Sequence, residues 1–65
     1  MDIVLNGRPL ETAAGTLADL VADEVSEGTR VATALNGDFV PETRRATTTL
    51  NPGDRVEIVS PRQGG

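Results

Sequence analysis

Cysteine, histidine, lysine, tyrosine and tryptophan are all missing from this chain of 65 residues. Without cysteine no disulfide framework can staple so small a domain, which argues against a secreted scaffold. Without histidine and cysteine the usual zinc and copper ligands are gone. The lack of histidine also removes the commonest general base, and the lack of lysine removes Schiff-base chemistry. Ser26 and Ser60 are left with no side chain able to activate them in the usual way. Carboxylates alone remain as acid–base or metal-binding groups.

Positive charge is scarce as well. Six arginines face ten acidic residues, for a formal net charge of −4. Such a balance is a poor match for a nucleic-acid backbone, whose binding rests on cation–phosphate contacts. Phe39 is the single aromatic residue, so base stacking has almost nothing to work with. No apolar run approaches the roughly 18 residues of a membrane span. No signal-like segment opens the chain. These features lead us to expect a soluble, cytoplasmic protein, monomeric when free, that binds no metal or cofactor. A domain of this length buries only about 60% of the surface its unfolded chain exposes, which leaves little room for an internal active-site cavity. Length therefore favours a binding or carrier module over an enzyme.

The residues that are present read as alternating short elements. Asp2-Ile3-Val4-Leu5 is apolar and β-branched, and Asn6-Gly7 follows at once as a two-residue hairpin signal. Pro9 to Thr12 reads as the return strand. Thr16 with Asp19 fits a helix start in which the hydroxyl caps and the acid meets the positive end of the dipole. Leu17, Leu20, Val21 and Val25 share one helical face, and Gly28 is a stop, so a helix is predicted from Leu17 to Glu27. Val31 to Leu35 and Asp38 to Val40 flank a second Asn-Gly turn. Glu42 to Ala46 reads as a turn or short helix, and Thr47 to Leu50 as a brief strand. Asn51-Pro52-Gly53-Asp54 is a turn by composition. Arg55 to Val59 alternates as a half-buried strand should. One helix on a mixed sheet of four to five strands is an α+β arrangement. The expected core is Ile3, Leu5, Leu17, Leu20, Val21, Val25, Leu35, Val40, Leu50, Val56 and Ile58.

Beyond Val59 the periodicity stops. Ser60-Pro61-Arg62-Gln63-Gly64-Gly65 reads as a flexible tail, which divides the chain into a domain over residues 1–59 and a tail over residues 60–65. Glycines have no Cβ, so a terminal Gly-Gly can pass through a narrow channel and take whatever backbone angles it needs. Six extended residues reach about 20 Å at most. That length allows the terminal carboxylate to enter a partner while the globular part stays outside.

The blocks Ala34-Leu35-Asn36-Gly37-Asp38-Phe39-Val40-Pro41, Gly53-Asp54-Arg55-Val56-Glu57-Ile58-Val59 and Gln63-Gly64-Gly65, with Val4-Leu5-Asn6-Gly7 ahead of them, resemble the ThiS family of sulfur carriers, over essentially the whole chain. One departure is Arg45-Ala46, where many of the family carry a tryptophan. The resemblance implies a ubiquitin-like β-grasp fold. It implies that the Gly65 carboxylate is adenylated with ATP by a ThiF-like adenylyltransferase, the ATP being the partner's and not this chain's. The adenylate would then become a thiocarboxylate, with sulfur from a cysteine desulfurase-linked donor. The ThiG thiazole synthase would accept that sulfur. Gly64, Gln63 and Arg62 would enter the partner with Gly65, and no side chain here would be catalytic.

Two other readings stand beside this one. A MoaD-type carrier for molybdopterin synthesis shares the fold, the tail and the chemistry. A ubiquitin-like interaction module would use a surface patch and ignore its tail. Asp19, Asp23 and Glu27 fall on one helical stripe, which reads as a solvated face rather than a metal site. Phe39 has opposite parity to Val40, and Val59 to Val56 and Ile58, so both point to the minor face of the sheet. There they are either ordinary minor-face packing or a docking patch for the partner enzymes at the root of the tail.

Overall fold

The computed structural model describes residues 1–60. Five strands form one mixed sheet: β1 (Asp2–Leu5), β2 (Arg8–Glu11), β3 (Ala32–Leu35), β4 (Asp38–Val40) and β5 (Arg55–Val59). Their spatial order is β2-β1-β5-β3-β4. The last strand thus enters between the two hairpins, parallel to β1 and antiparallel to β3. Helix α1 (Leu17–Glu24) and a 3-10 turn, Glu42–Thr47, complete the chain. This is the β-grasp arrangement expected from the sequence.

Both hairpins turn on Asn-Gly with positive φ at each residue, 51° and 82° at Asn6-Gly7 and 52° and 90° at Asn36-Gly37. Asparagine and glycine are the residues that reach this region at least cost, and it matches the twist of the flanking strands. The first hairpin is also tied at its open end. The Met1 amine donates to Glu11 Oε2 at 3.0 Å and to the Thr12 carbonyl at 2.8 Å. A hydrogen bond from the facing Asp2 holds the Glu11 carboxyl below its ordinary range, and the amine adds to the effect. The same bond pushes the Asp2 carboxyl up.

Thr16 caps α1, its hydroxyl accepting from Asp19 N at 3.2 Å. The same residue pairs with Thr49, and Leu17 N reaches the Thr48 carbonyl at 2.9 Å. Removing the cap hydroxyl frees one N–H of the first turn, a loss of about 1 kcal/mol. Thr16→Ala should therefore lower the stability of the domain by that amount in urea denaturation followed by circular dichroism. An unchanged midpoint would show the cap to be idle.

The core lies between α1 and one face of the sheet. Ile3, Ala14, Leu17, Leu20, Val40, Leu50 and Val56 are buried, and Met1, Leu5, Leu10, Val21, Leu35 and Ile58 pack around them. Val25 departs from the expected core. The helix ends at Glu24, three residues early, because Val25 turns to extended backbone (φ −125°, ψ 137°) and is only half-buried. A β-branched residue gives up little by leaving a helix. Gly28, read as the helix stop, instead sits inside a turn closed by Thr29 N on the Ser26 carbonyl, where its φ of 88° suits glycine. Thr47 to Leu50 is also not a strand beyond its single bridge. The hydroxyls of Thr47 and Thr48 both donate to the Arg44 carbonyl, at 3.2 and 2.7 Å, and so close the 3-10 turn. Local bonds of this kind compete with strand pairing. Among the described residues no helix is long and apolar enough to cross a membrane.

Candidate functional site

Among the described residues the sheet has one face under α1 and one without cover. Register decides which side chains share the open face. Ala34 stands opposite Phe39, Ala32 opposite Val59 and Ala34 opposite Glu57. Phe39, Ala32, Ala34, Glu57 and Val59 therefore lie on one surface across β4, β3 and β5. Phe39 is 69% exposed and Val59 55% exposed. They are two strand spacings and two residues of register apart, roughly 12 Å. The two alanines between them are too small to cover either one. A small apolar surface results, broken by the Glu57 carboxylate.

The patch borders a shallow groove whose lining includes Arg30, Val31, Phe39, Pro41 and Arg45. Arg45 shapes this groove from below. Its Nε donates to Thr33 Oγ1 at 3.0 Å and its Nη2 to the Val31 carbonyl at 2.7 Å. The Thr33 hydroxyl donates in turn to the Val40 carbonyl at 2.8 Å. The guanidinium thus links the 3-10 turn to β3, with its stem half-buried. At the position that the resemblance marked as a departure, this chain places a hydrogen-bonded arginine. Sequence reading found Arg45 only as a departure, because nothing in the spacing pairs it with Thr33.

Among the described residues no side chains of the type that hold metals gather in a group of three or more. Asp19 and Asp23 are exposed on α1, and Glu27 lies beyond its end. The acidic stripe is therefore shorter than the helical spacing suggested. No buried side-chain nitrogen or oxygen among the described residues lacks a partner.

β5 is the central strand and leads to the chain end. At Val59 it is flanked by Ala32, beside the exposed patch, and Ser60 follows it in solvent. Arg62, Gln63, Gly64 and Gly65, the residues expected to carry the chemistry and enter a partner, lie outside the described residues. So does most of the proposed tail segment. What the structure places is the end of β5: Val59, paired with Ala32 of β3 and exposed on the open face that also carries Phe39.

No curated protein sequence matches this chain. Among solved structures, the crystal structure of the thiamine biosynthesis protein ThiS from Geobacter metallireducens is similar over 100% of both chains, with 29% identity and a TM-score of 0.81. The solution structure of a thiamine biosynthesis protein from the same organism is similar over 100% of this chain and 88% of that one, at 28% identity and a TM-score of 0.76. The ThiS family model matches residues 3–65, from the first strand through the terminal diglycine. With the sheet order, the Asn-Gly hairpins and the whole-length match in agreement, the chain belongs to the ThiS family.

Proposed function

We propose that this protein is a sulfur carrier of thiamin biosynthesis that works through the Gly65 carboxylate. Membership of the ThiS family supports the carrier role, and the observation that carries the reading is that the family match runs to the last residue and so includes Gly64 and Gly65. A carboxylate is a poor electrophile. A ThiF-like adenylyltransferase would transfer AMP from ATP onto it with release of pyrophosphate. The persulfide of a donor, fed by a cysteine desulfurase, would then attack the acyl carbon and displace AMP to give an acyl disulfide. A partner thiol would cleave that S–S bond to release the thiocarboxylate, forming a disulfide with the donor. The ThiG thiazole synthase would take that sulfur and return the carboxylate. Each of these steps belongs to a partner, and the lack of histidine, cysteine and lysine in this chain agrees with that division.

In this reading the domain of residues 1–59 presents the tail of residues 60–65 and supplies a handle. Phe39 and Val59 on the open sheet face would be that handle, because apolar side chains beside the tail root can be desolvated by the same enzyme that receives the tail. Incubation with ATP, the adenylating partner and a sulfur source should replace one oxygen by sulfur, localised by mass spectrometry to Gly65. A molybdopterin-type carrier would be charged in the same way but would pass no sulfur to ThiG. If the intact chain is never charged, the proposal fails.

A further inference from the structure

The two Asn-Gly turns do more than reverse the chain. β1 and β5 run parallel, with Val4 N on the Asp54 carbonyl and Asn6 N on the Val56 carbonyl, both at 2.9 Å. In a parallel ladder the next rungs would run from Ile58 N to the carbonyl of residue 6, and from the N–H of residue 8 to the Ile58 carbonyl. Neither forms, because β1 has already turned. The Asn6 side chain replaces both. Its Oδ1 accepts from Ile58 N at 2.9 Å, and its Nδ2 donates to the Ile58 carbonyl at 3.1 Å. One side-chain amide thus stands in for a peptide group and carries the ladder one step further along β5.

Asn36 repeats the device at the other end of the strand. Asn36 N donates to the Arg55 carbonyl at 2.7 Å, while Arg55 N is met by Asn36 Oδ1 at 2.9 Å. Asn36 Nδ2 donates to Asp54 Oδ1 at 3.1 Å. One asparagine therefore fastens the start of β5 and the other its end, two residues before Ser60. Only asparagine combines tolerance of positive φ with a donor and an acceptor at this reach.

We propose that Asn6 is a positioning residue for the carrier: its amide clasp on Ile58 fixes the end of β5, and so the place at which Val59 and Ser60 are presented to the adenylating enzyme. On the β1 side of the strand the clasp is the last hold on β5 among the described residues. On the β3 side Val59 is flanked by Ala32. Loosening one side lets the strand end swing about the other, and ordering that end again in a complex raises the cost of binding. The inference rests on the carrier reading above.

Asn36 supplies the control, since it fastens the same strand far from the tail. Asn6→Gly keeps the turn and removes both bonds; Asn6→Asp keeps one acceptor and sets a carboxylate against the Ile58 carbonyl. Asn36→Asp sets a carboxylate against Asp54. At a temperature where circular dichroism shows all variants folded, both Asn6 variants should raise the KM for the carrier in adenylation at least threefold, with kcat within about twofold of the original. Asn36→Asp should leave KM unchanged. In hydrogen exchange the Ile58 amide should lose protection in Asn6→Gly while Val56 keeps it. Equal KM values for the Asn6 and Asn36 variants, or an unchanged Ile58 amide, would overturn the proposal. Failure of the unaltered chain to be adenylated would instead overturn the carrier reading, and the exchange result would still judge the clasp.

Discussion

Deleting Gly65 should leave a folded protein that can no longer be charged with sulfur. The apolar cluster of the described residues is built from Met1 to Ile58, and Gly65, a glycine, has no side chain to add to it. Thermal melting of the truncated chain should match that of the full one. Its reactive carboxylate, however, would end one residue short, about 3.5 Å back along an extended tail. A displacement of only 1 Å can cost on the order of a hundredfold in rate where atoms must meet in line. Adenylation, followed as pyrophosphate release, should therefore fall by at least that factor, with no thiocarboxylate seen by mass spectrometry. Gly64→Val should be impaired for a related reason, since a β-branched side chain both widens the tail and narrows its backbone choices. A truncated chain that still accepts and passes on sulfur would show that the terminus is not the working group. A binding module that ignores its tail would then be the better account.

The elements most legible in the sequence are those set by local rules. Asn-Gly fixes both hairpins because few residues tolerate its backbone, and alternation fixes which of Val56, Glu57 and Ile58 faces the core. The diglycine and the distributed family blocks point to the carrier reading without any contact being known. The helix end was not legible. Val25 continues the apolar spacing of Leu17, Leu20 and Val21, and no stop signal precedes Gly28, yet the chain leaves the helix at Glu24. Thr47 to Leu50 misled in the opposite sense, since threonine has strand propensity while its hydroxyl favours local bonds to the Arg44 carbonyl. The Arg45–Thr33 and Asn6–Ile58 bonds lay beyond sequence reading altogether. They join residues 12 and 52 positions apart, and only the order of strands brings them together.

Phe39→Asp should weaken binding to the adenylating partner by at least tenfold while the domain stays folded. At 69% exposure Phe39 contributes little to the core, and its neighbour Val40 holds β4 against it. An exposed strand position tolerates a polar residue at a cost within about 1 kcal/mol. In a complex the balance changes. A partner that covers Phe39 removes water from it, so an aspartate there loses the apolar contact and its hydration together. A tenfold change in Kd corresponds to about 1.4 kcal/mol, well within what a buried aromatic anchor contributes. Titration calorimetry with the partner, beside a urea melt of the free variant, separates the two effects. Val59→Asp offers a second reading of the same patch, nearer the tail root and 55% exposed. If both variants bind as tightly as the original, the open face is ordinary minor-face surface and the partner holds the carrier elsewhere. Unfolding of Phe39→Asp would count against the patch as well, because it would place the ring among the residues that hold the sheet together.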